Sequence, residues 1–327
     1  MPPIFSLPLS PYMRDEEYTE VYLPFVQEYS AYIYDIYATI RIPPFLHDAM
    51  GGELQSEQLL EKALRVQRDT GKILSATFND ITIPATQSNL ELFCEQFAPL
   101  YEAGIRSATI PFTHWMLSGE ISHRFPDLTV KNSVLNTIDN AQGSWDSAMA
   151  GYDVVNLDRK LLRDKEALTG IKKAQELFRS RYGFAPLTQI LANEHCIGRC
   201  PVMSEHYTIN CTGAQYFDDA ISAHSCRRWK SLDESYPYRV ANISPFRDDI
   251  DEILSLVDLL KLHGRGGTAL LQESMQIIGD YTKGKELFEL GKSMFEELGS
   301  AKISAWRNTI KTCRFQCWSC NVCDEMI

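Results

Sequence analysis

The chain lacks the features that mark several classes of protein. No apolar run approaches the ~20 residues that a membrane-spanning helix needs, and the first residues, MPPIFSLP, carry no cationic leader followed by an apolar stretch. We therefore expect a soluble, cytoplasmic protein without a membrane partner. The formal net charge is -11. A nucleic-acid partner held by a broad basic surface is not favoured, although a local basic patch is compatible with the sequence.

Two motifs of hydrolytic enzymes are also missing, as are sequence repeats and linkers. The chain has neither a Gly-x-Ser-x-Gly elbow nor a His-Glu-x-x-His helix, so nothing supports serine or zinc-helix hydrolysis. It has no internal repeat, low-complexity tract or Gly/Ser linker. With 327 residues, of which 44% are hydrophobic, it can bury one large core, and single α/β barrels commonly reach ~250 residues or more.

Eight β-like runs, mostly separated by helical segments, predict an α/β fold. A (β/α)8 TIM-like barrel fits this alternation better than an open sheet, which stays as the alternative. The residues before 31 read as a Pro-rich entry and a first helix. Helices are expected from Ser56 to Thr70, over 90–103, and from a cap at Asp164 to Gly183. The predicted strands are 31–40, 73–78, 107–112, 128–133, 153–157, 187–192, 239–244 and 257–262.

The domain prediction is one barrel with two cysteine-bearing additions. Residues 1–300 form the barrel, a long insertion occupies about 196–238, and 301–327 form a metal-binding tail. The insertion is too long for an ordinary connection between a strand and a helix, so we expect a lid or a cluster-binding subdomain.

Polar residues follow the predicted strands, at the end where a barrel carries its catalytic groups. Such a ring is suited to a small-molecule or modified-polymer substrate. For any one residue alone, a solvated loop or a helix cap is the alternative. The predicted catalytic residues are Asn79, Glu194, His195 and Arg265, and the predicted cofactor-binding residues are Asn156 and Arg199.

Cysteine is the residue type that carries most chemistry here, because eight of the nine cysteines fall into two groups of four. Disulfides belong mostly to small secreted domains, so we expect reduced thiolates that bind metal. The tail group, Cys313-x3-Cys317-x2-Cys320-x2-Cys323, is compact enough to surround one metal centre. Its consecutive short spacings favour a 4Fe-4S cluster, with zinc as the alternative.

The central group is looser. It consists of Cys196, Cys200, Cys211 and Cys226, and Cys196 directly follows a predicted strand. The location favours a second metal site, although Cys211 can also be read as an ordinary small apolar residue. The ninth cysteine, Cys94, lies on the inward face of a predicted helix and is predicted to be core.

The central segment resembles the collagenase-like peptidase family U32. The resemblance rests on Cys196-Ile-Gly-Arg-Cys200 and on Ser225-Cys226-Arg-Arg-Trp229, with the first spacing three residues shorter and the last one residue longer than in the family. It covers about forty residues, and the barrel alternation agrees with the family's fold. It implies a 4Fe-4S cluster in which Cys196, Cys200 and Cys226 match three ligands. The fourth would be Cys211 or a tail cysteine, because no cysteine lies between Cys226 and Cys313.

The resemblance implies one of two activities. Some members of the family support oxygen-independent hydroxylation of ubiquinone precursors or RNA bases, and others are peptidases. We expect an iron-sulfur enzyme that carries out hydroxylation or a related redox modification. The alternatives are a radical S-adenosylmethionine enzyme that uses the tail cysteines, a peptidase in which His195 or His206 activates a cysteine, and a non-catalytic, cluster-bearing subunit that pairs with a homologous partner.

The last expectation concerns where the tail lies. Trp306 and Trp318 flank or enter the cysteine run, and so much apolar surface is expected to dock against the barrel. We expect the tail at the catalytic mouth, on the same face as the central cysteines. The alternative is a tail that caps the opposite end of the barrel.

Overall fold

A closed barrel of eight parallel strands forms the centre of the molecule, in the order β1 to β8. The computed structural model describes residues 3–45, 56–196, 198, 200–212 and 233–327. The predicted (β/α)8 class is confirmed. The strands are β1 Phe5–Pro8, β2 Ile33–Thr39, β3 Ile73–Thr77, β4 Ser107–Thr109, β5 Thr129–Lys131, β6 Val154–Leu157, β7 Leu187–Leu191 and β8 Leu259–Lys261.

The count of eight strands was right only because two errors cancelled. The sequence reading missed β1, which pairs with both β2 and β8 and so closes the barrel. Proline is tolerated at strand ends but reads as a turn signal, and Pro8 ends this short strand. The predicted strand at 239–244 is wrong. Tyr236–Arg239 is a short helix, and Asn242 makes only an isolated bridge with Asn193.

Helices surround the barrel, and their ends follow the predicted capping chemistry. The Asp164 side chain accepts a hydrogen bond from the backbone N–H of Ala167, and Gly183 ends the same helix with φ of 80°. No described helix is long and apolar enough to cross a membrane. The α-helices are Asp15–Glu17, Leu23–Glu28, Ser56–Thr70, Gln87–Glu102, Thr113–Leu117, Glu120–Arg124, Ala141–Met149, Lys165–Tyr182, Met203–Thr212, Tyr236–Arg239, Arg247–Leu254, Thr268–Thr282, Glu289–Phe295 and Ser300–Ile310. A π-helical turn covers Tyr18–Tyr22, and 3-10 turns cover Ser30–Tyr32, Val134–Asn136, Arg159–Arg163, Cys317–Ser319 and Asp324–Met326.

The strands divide their residues into an apolar outer layer and a polar interior. Side chains alternate between the two faces of a strand. The outward positions are apolar and pack against the helices: Leu7, Ile36, Leu74, Ala108, Val130, Val155, Ile190 and Leu260. The inward positions, which line what we call the lumen, include Ser6, Asp35, Ser75, Ser107, Lys131, Asn156, Gln189 and Lys261, all buried. Barrel interiors of this fold are usually filled by branched apolar side chains. The buried polar side chains of this lumen therefore depart from the usual packing.

The tail docks on the face that carries the C-terminal ends of the strands. The backbone N–H of Arg314 donates to the carbonyl of Arg163, in the turn after β6, at 3.0 Å. The ring of Phe315 packs on Gly198, after β7, so closely that a Cβ at that position would overlap it. The predicted shared face is therefore confirmed. A separate apolar cluster of Phe295, Trp306, Ile310 and Met326 fastens the tail.

Candidate active site and cysteine cluster

The loop after β7 places His195 between two polar partners. His195 is one of the few non-glycine residues with positive φ, at 55°, and its backbone N–H donates to Asn242 Oδ1 at 2.7 Å. Its Nε2 lies 2.9 Å from Glu273 Oε2, and its Nδ1 lies 3.0 Å from Asn242 Nδ2. Both ring nitrogens are thus engaged.

Glu273 links this histidine to the interior of the barrel. Burial alone would raise the pKa of Glu273, but the hydrogen bond from His195 leads a set of contacts that hold it below its ordinary value. Asn193 Nδ2 also donates to Glu273 Oε1, at 3.1 Å, while Asn193 Oδ1 accepts from the backbone N–H of His263 at 2.6 Å. Burial, followed by the charge of Arg265, lowers the pKa of His263 to about 4, so this imidazole is neutral at pH 7.

Glu194 is paired with Arg159, which lies in the 3-10 turn after β6. The guanidinium of Arg159 also donates to the hydroxyl of Tyr207 and lies 5.7 Å from its ring centroid. Burial lowers the pKa of Arg159, but the charges of Tyr207 and then of Cys196 outweigh it and hold this pKa above its ordinary value. The loop after β7 therefore has a cation near its first cysteine.

The other predicted site residues lie on the same face in different roles. Asn79, after β3, is buried, and its Oδ1 has no hydrogen-bond partner among the described residues. Asn156 is held by Asn132, because its Nδ2 donates to the Asn132 carbonyl at 2.5 Å. Arg265, after β8, donates from Nη1 to Thr39 Oγ1 at 3.0 Å. Arg199 lies outside the described residues.

The lumen below this ring contains an ion pair that sequence reasoning missed. Lys131 is paired with Asp35, which also accepts a hydrogen bond from the Ser6 hydroxyl at 2.5 Å. The side chains of Lys131 and Asp35 are 2% and 0% exposed, so neither charge meets bulk water. The available signal was a single charged residue inside an otherwise apolar run, in AYIYDIY and in LTVKN. An isolated charge at an inward strand position indicates a paired partner or a ligand.

All four tail cysteines line one cavity, of about 20 Å³, together with Arg163. Arg163 is buried, and its Nη2 donates to the carbonyl of Val240 at 2.7 Å. Its Nε and Nη1 have no hydrogen-bond partner within the described part of the chain. The guanidinium lies 5.5 Å from the ring centroid of Trp306 and 5.9 Å from that of Phe315. A buried cation with unpaired N–H groups beside four thiols is a setting that favours an anionic centre.

Four thiols are a donor set that suits either a zinc ion or a 4Fe-4S cluster. Among the residues that the structure describes, no three His, Cys, Asp or Glu side chains are gathered so as to hold one metal ion. Burial raises the pKa of Cys323 to about 11, so a metal would have to displace that proton.

The central cysteines do not form a complete group within the described residues. None of the eight described cysteines forms a disulfide. Cys196 and Cys200 are partly exposed, whereas Cys211 is buried and its Sγ donates to the Asn79 carbonyl at 3.4 Å. Cys226 lies outside the described residues, so the four-ligand prediction stays untested. Cys94 is buried in the core, as predicted.

The comparisons with known proteins give fold similarity without a family. No family model matches the chain, and no curated protein matches it. A solved structure of the U32 peptidase Mk0906 aligns with a TM-score of 0.49 and 12% identity over 80% of this chain and 92% of that one. An O-GlcNAc hydrolase of Thermobaculum terrenum aligns with a TM-score of 0.49 and 9% identity over 93% of this chain and 64% of that one. Similarity at this level identifies neither a family nor an activity.

Proposed function

We propose that this protein is an iron-sulfur-dependent barrel enzyme that carries out a redox modification, such as oxygen-independent hydroxylation, of a small or modified-polymer substrate. The observation that carries the proposal is the cavity shared by Cys313, Cys317, Cys320, Cys323 and the buried Arg163. When bound there, a 4Fe-4S cluster supplies one-electron transfer, and its potential depends on neighbouring charge and hydrogen bonds.

The chain's own residues account for the placement and the charge of this centre. A cluster held by four thiolates is anionic, and the buried Arg163 offers N–H groups on Nε and Nη1 that have no partner among the residues described. The aromatic rings of Trp306 and Phe315 hold the guanidinium in place. The docked tail lies beside the loops after β6 and β7, so the centre is next to the polar ring where a substrate would bind.

The same geometry bears on two alternatives. A radical S-adenosylmethionine enzyme needs an open iron, and the presence of Cys323 in the cavity provides a fourth ligand that would occupy it. A cysteine peptidase needs a base directed at the thiol, and His195 is instead engaged by Glu273 and Asn242. Both alternatives are therefore less well supported than a fully ligated cluster.

Metal analysis after anaerobic purification tests the proposal. We expect about four iron and four sulfide per chain for one cluster, or about eight of each if the central cysteines bind a second. Cys317→Ser removes one ligand, so it should lower the iron content by about four per chain and abolish the spectrum of the reduced tail cluster. Cys317 is chosen because it is exposed, so that its replacement leaves the core unchanged. Cys94→Ala is the matched control and should retain all iron.

Two results would contradict the proposal. One zinc per chain without sulfide would show that the tail binds a structural metal ion and would exclude the proposed redox function. Full iron content in Cys317→Ser and also in Cys320→Ser would show that the tail cysteines are not the ligands. A dithionite-reduced EPR signal that disappears in the tail variants would support a redox-active centre at this position.

A further inference from the structure

Lys261 is a buried lysine that forms no ion pair with any carboxylate in the described part of the chain. It is the last residue of β8, at the catalytic end of the barrel, and it faces the lumen. It is 9% exposed. Among the described residues its amine makes no hydrogen bond or ion pair, and it lies over the ring of Tyr37, whose centroid is 4.5 Å from Nζ.

A comparison with Lys131 shows that a buried lysine in this lumen can have a carboxylate partner, whereas Lys261 has none among the described residues. Both lysines end a strand, face the lumen and are almost fully buried. Lys131 is neutralised by Asp35, whereas Lys261 aligns with Ser6 on β1 and with Leu191 on β7, which bring no charge. Burial, then the positive charges of Arg265 and Lys131, lower the pKa of Lys261 from 10.5 to about 7. A substantial fraction of this amine is therefore neutral, and nucleophilic, near pH 7.

Unsatisfied polar atoms beside Lys261 indicate that the lumen accommodates a ligand. Gln189 is fully buried, faces the lumen about 6.6 Å below the level of Lys261, and neither of its amide atoms has a described hydrogen-bond partner. Arg265 is 9% exposed, its Nε lacks a described partner, and its guanidinium lies 5.2 Å from the same Tyr37 ring. Buried polar groups are seldom left unpaired without a functional reason.

We propose that the barrel mouth captures a small 2-oxo acid or similar carboxylated carbonyl compound, with Lys261 forming an imine and Arg265 binding the carboxylate. The neutral amine adds to the carbonyl carbon, and a C–N bond forms. The two amine protons leave with the carbonyl oxygen as water, so no oxidant or reductant is needed. Arg265 is suited to the carboxylate because a guanidinium offers parallel N–H donors. This step is independent of the tail cysteines and of their metal.

Reductive trapping tests the imine directly. The full chain is incubated at pH 7.5 with pyruvate and sodium cyanoborohydride, and the modified lysines are located by peptide mass mapping. We expect one carboxyethyl group on Lys261, formed roughly 600-fold faster than on an exposed lysine such as Lys302, because the neutral fraction of the amine at pH 7.5 sets the rate. Lys302→Met is the matched control and should leave the rate unchanged.

Two further variants keep the test decisive. Lys261→Arg and Lys261→Met should both lose the rapid adduct while keeping the circular dichroism spectrum of the parent. Arg265→Gln should lower the rate with pyruvate roughly ten-fold more than the rate with propanal, which has no carboxylate for the guanidinium to bind. Labelling spread over exposed lysines, and unchanged in Lys261→Met, would overturn the proposal, as would rapid labelling of Lys131.

Discussion

Breaking the ion pair inside the barrel should cost far more stability than removing it whole. Asp35→Leu leaves the buried ammonium of Lys131 without a counter-charge, and Lys131→Met leaves the buried carboxylate of Asp35. Both side chains are at most 2% exposed, so water cannot replace the lost partner. Removing one partner of a buried pair costs about 3–5 kcal/mol. We expect each single variant to lose that much free energy of unfolding.

The double variant Asp35→Leu/Lys131→Met should recover most of the loss. Replacing a buried ion pair by apolar residues is often neutral or stabilising, which leaves mainly the Ser6 hydroxyl without its acceptor, at a cost of about 1–3 kcal/mol. The coupling energy between the two positions should therefore be at least about 3 kcal/mol.

Urea unfolding followed by circular dichroism measures all four members of the cycle, at one pH and with equal metal content. Ser107→Ala is a matched lumen control. It removes a 3.0 Å hydrogen bond to Ser75 and no charge, so we expect a loss of only about 1 kcal/mol. Single variants within about 1 kcal/mol of the parent, or a double variant equal to the sum of the singles, would refute the reasoning that this pair is desolvated.

Two predictions concern the attachment of the tail. Trp306→Ala should lower the free energy of unfolding by about 3–5 kcal/mol, because Trp306 is buried. Trp318→Ala, at an 86% exposed position, should change it by less than about 0.5 kcal/mol. Equal effects of the two substitutions in urea unfolding would contradict the docked arrangement of the tail. Burial raises the pKa of Asp249, but hydrogen bonds led by Arg307 outweigh it and hold the pKa below its ordinary value of 3.8. The stability that this carboxylate contributes is therefore complete above the ordinary value and is lost as the pH falls through the lower folded-state value. Arg307→Gln should weaken that acid-side loss in unfolding measured between pH 5 and 2, and an unchanged pH profile would exclude the pair as its source.

The barrel could be predicted from the sequence because most of its strands are recognisable from local sequence patterns. Short apolar runs bounded by polar residues identified seven of the strands, and Asp164 and Gly183 bounded their helix by capping chemistry that depends on few neighbours. Strand β1 was not predicted because Phe5–Pro8 is only four residues long and ends in proline. Residues 239–244 were wrongly predicted as a strand because Val240, Ala241 and Ile243 are apolar and buried although they do not join the sheet.

The site was predictable only as far as strand ends determine it. Glu194, His195, Asn79 and Arg265 were predicted because they follow strands, but their partners come from distant segments. Glu273 meets His195 across 78 positions of the chain, and no periodicity indicates which remote carboxylate will arrive there. Arg163 was missed for the same reason, because its importance depends on where the tail docks.

The 3-10 turn Arg159–Arg163 connects two places that a reader of the sequence would treat as separate. Arg159 holds Glu194 and Tyr207 at the barrel mouth, while Arg163, four positions later, faces the tail thiols. A ligand that displaced one end of this five-residue turn would act on the other end through the backbone that joins them. By thermodynamic linkage such an effect would be reciprocal: the factor by which a substrate changed the affinity of the tail thiols for a metal would equal the factor by which the metal changed the substrate's affinity.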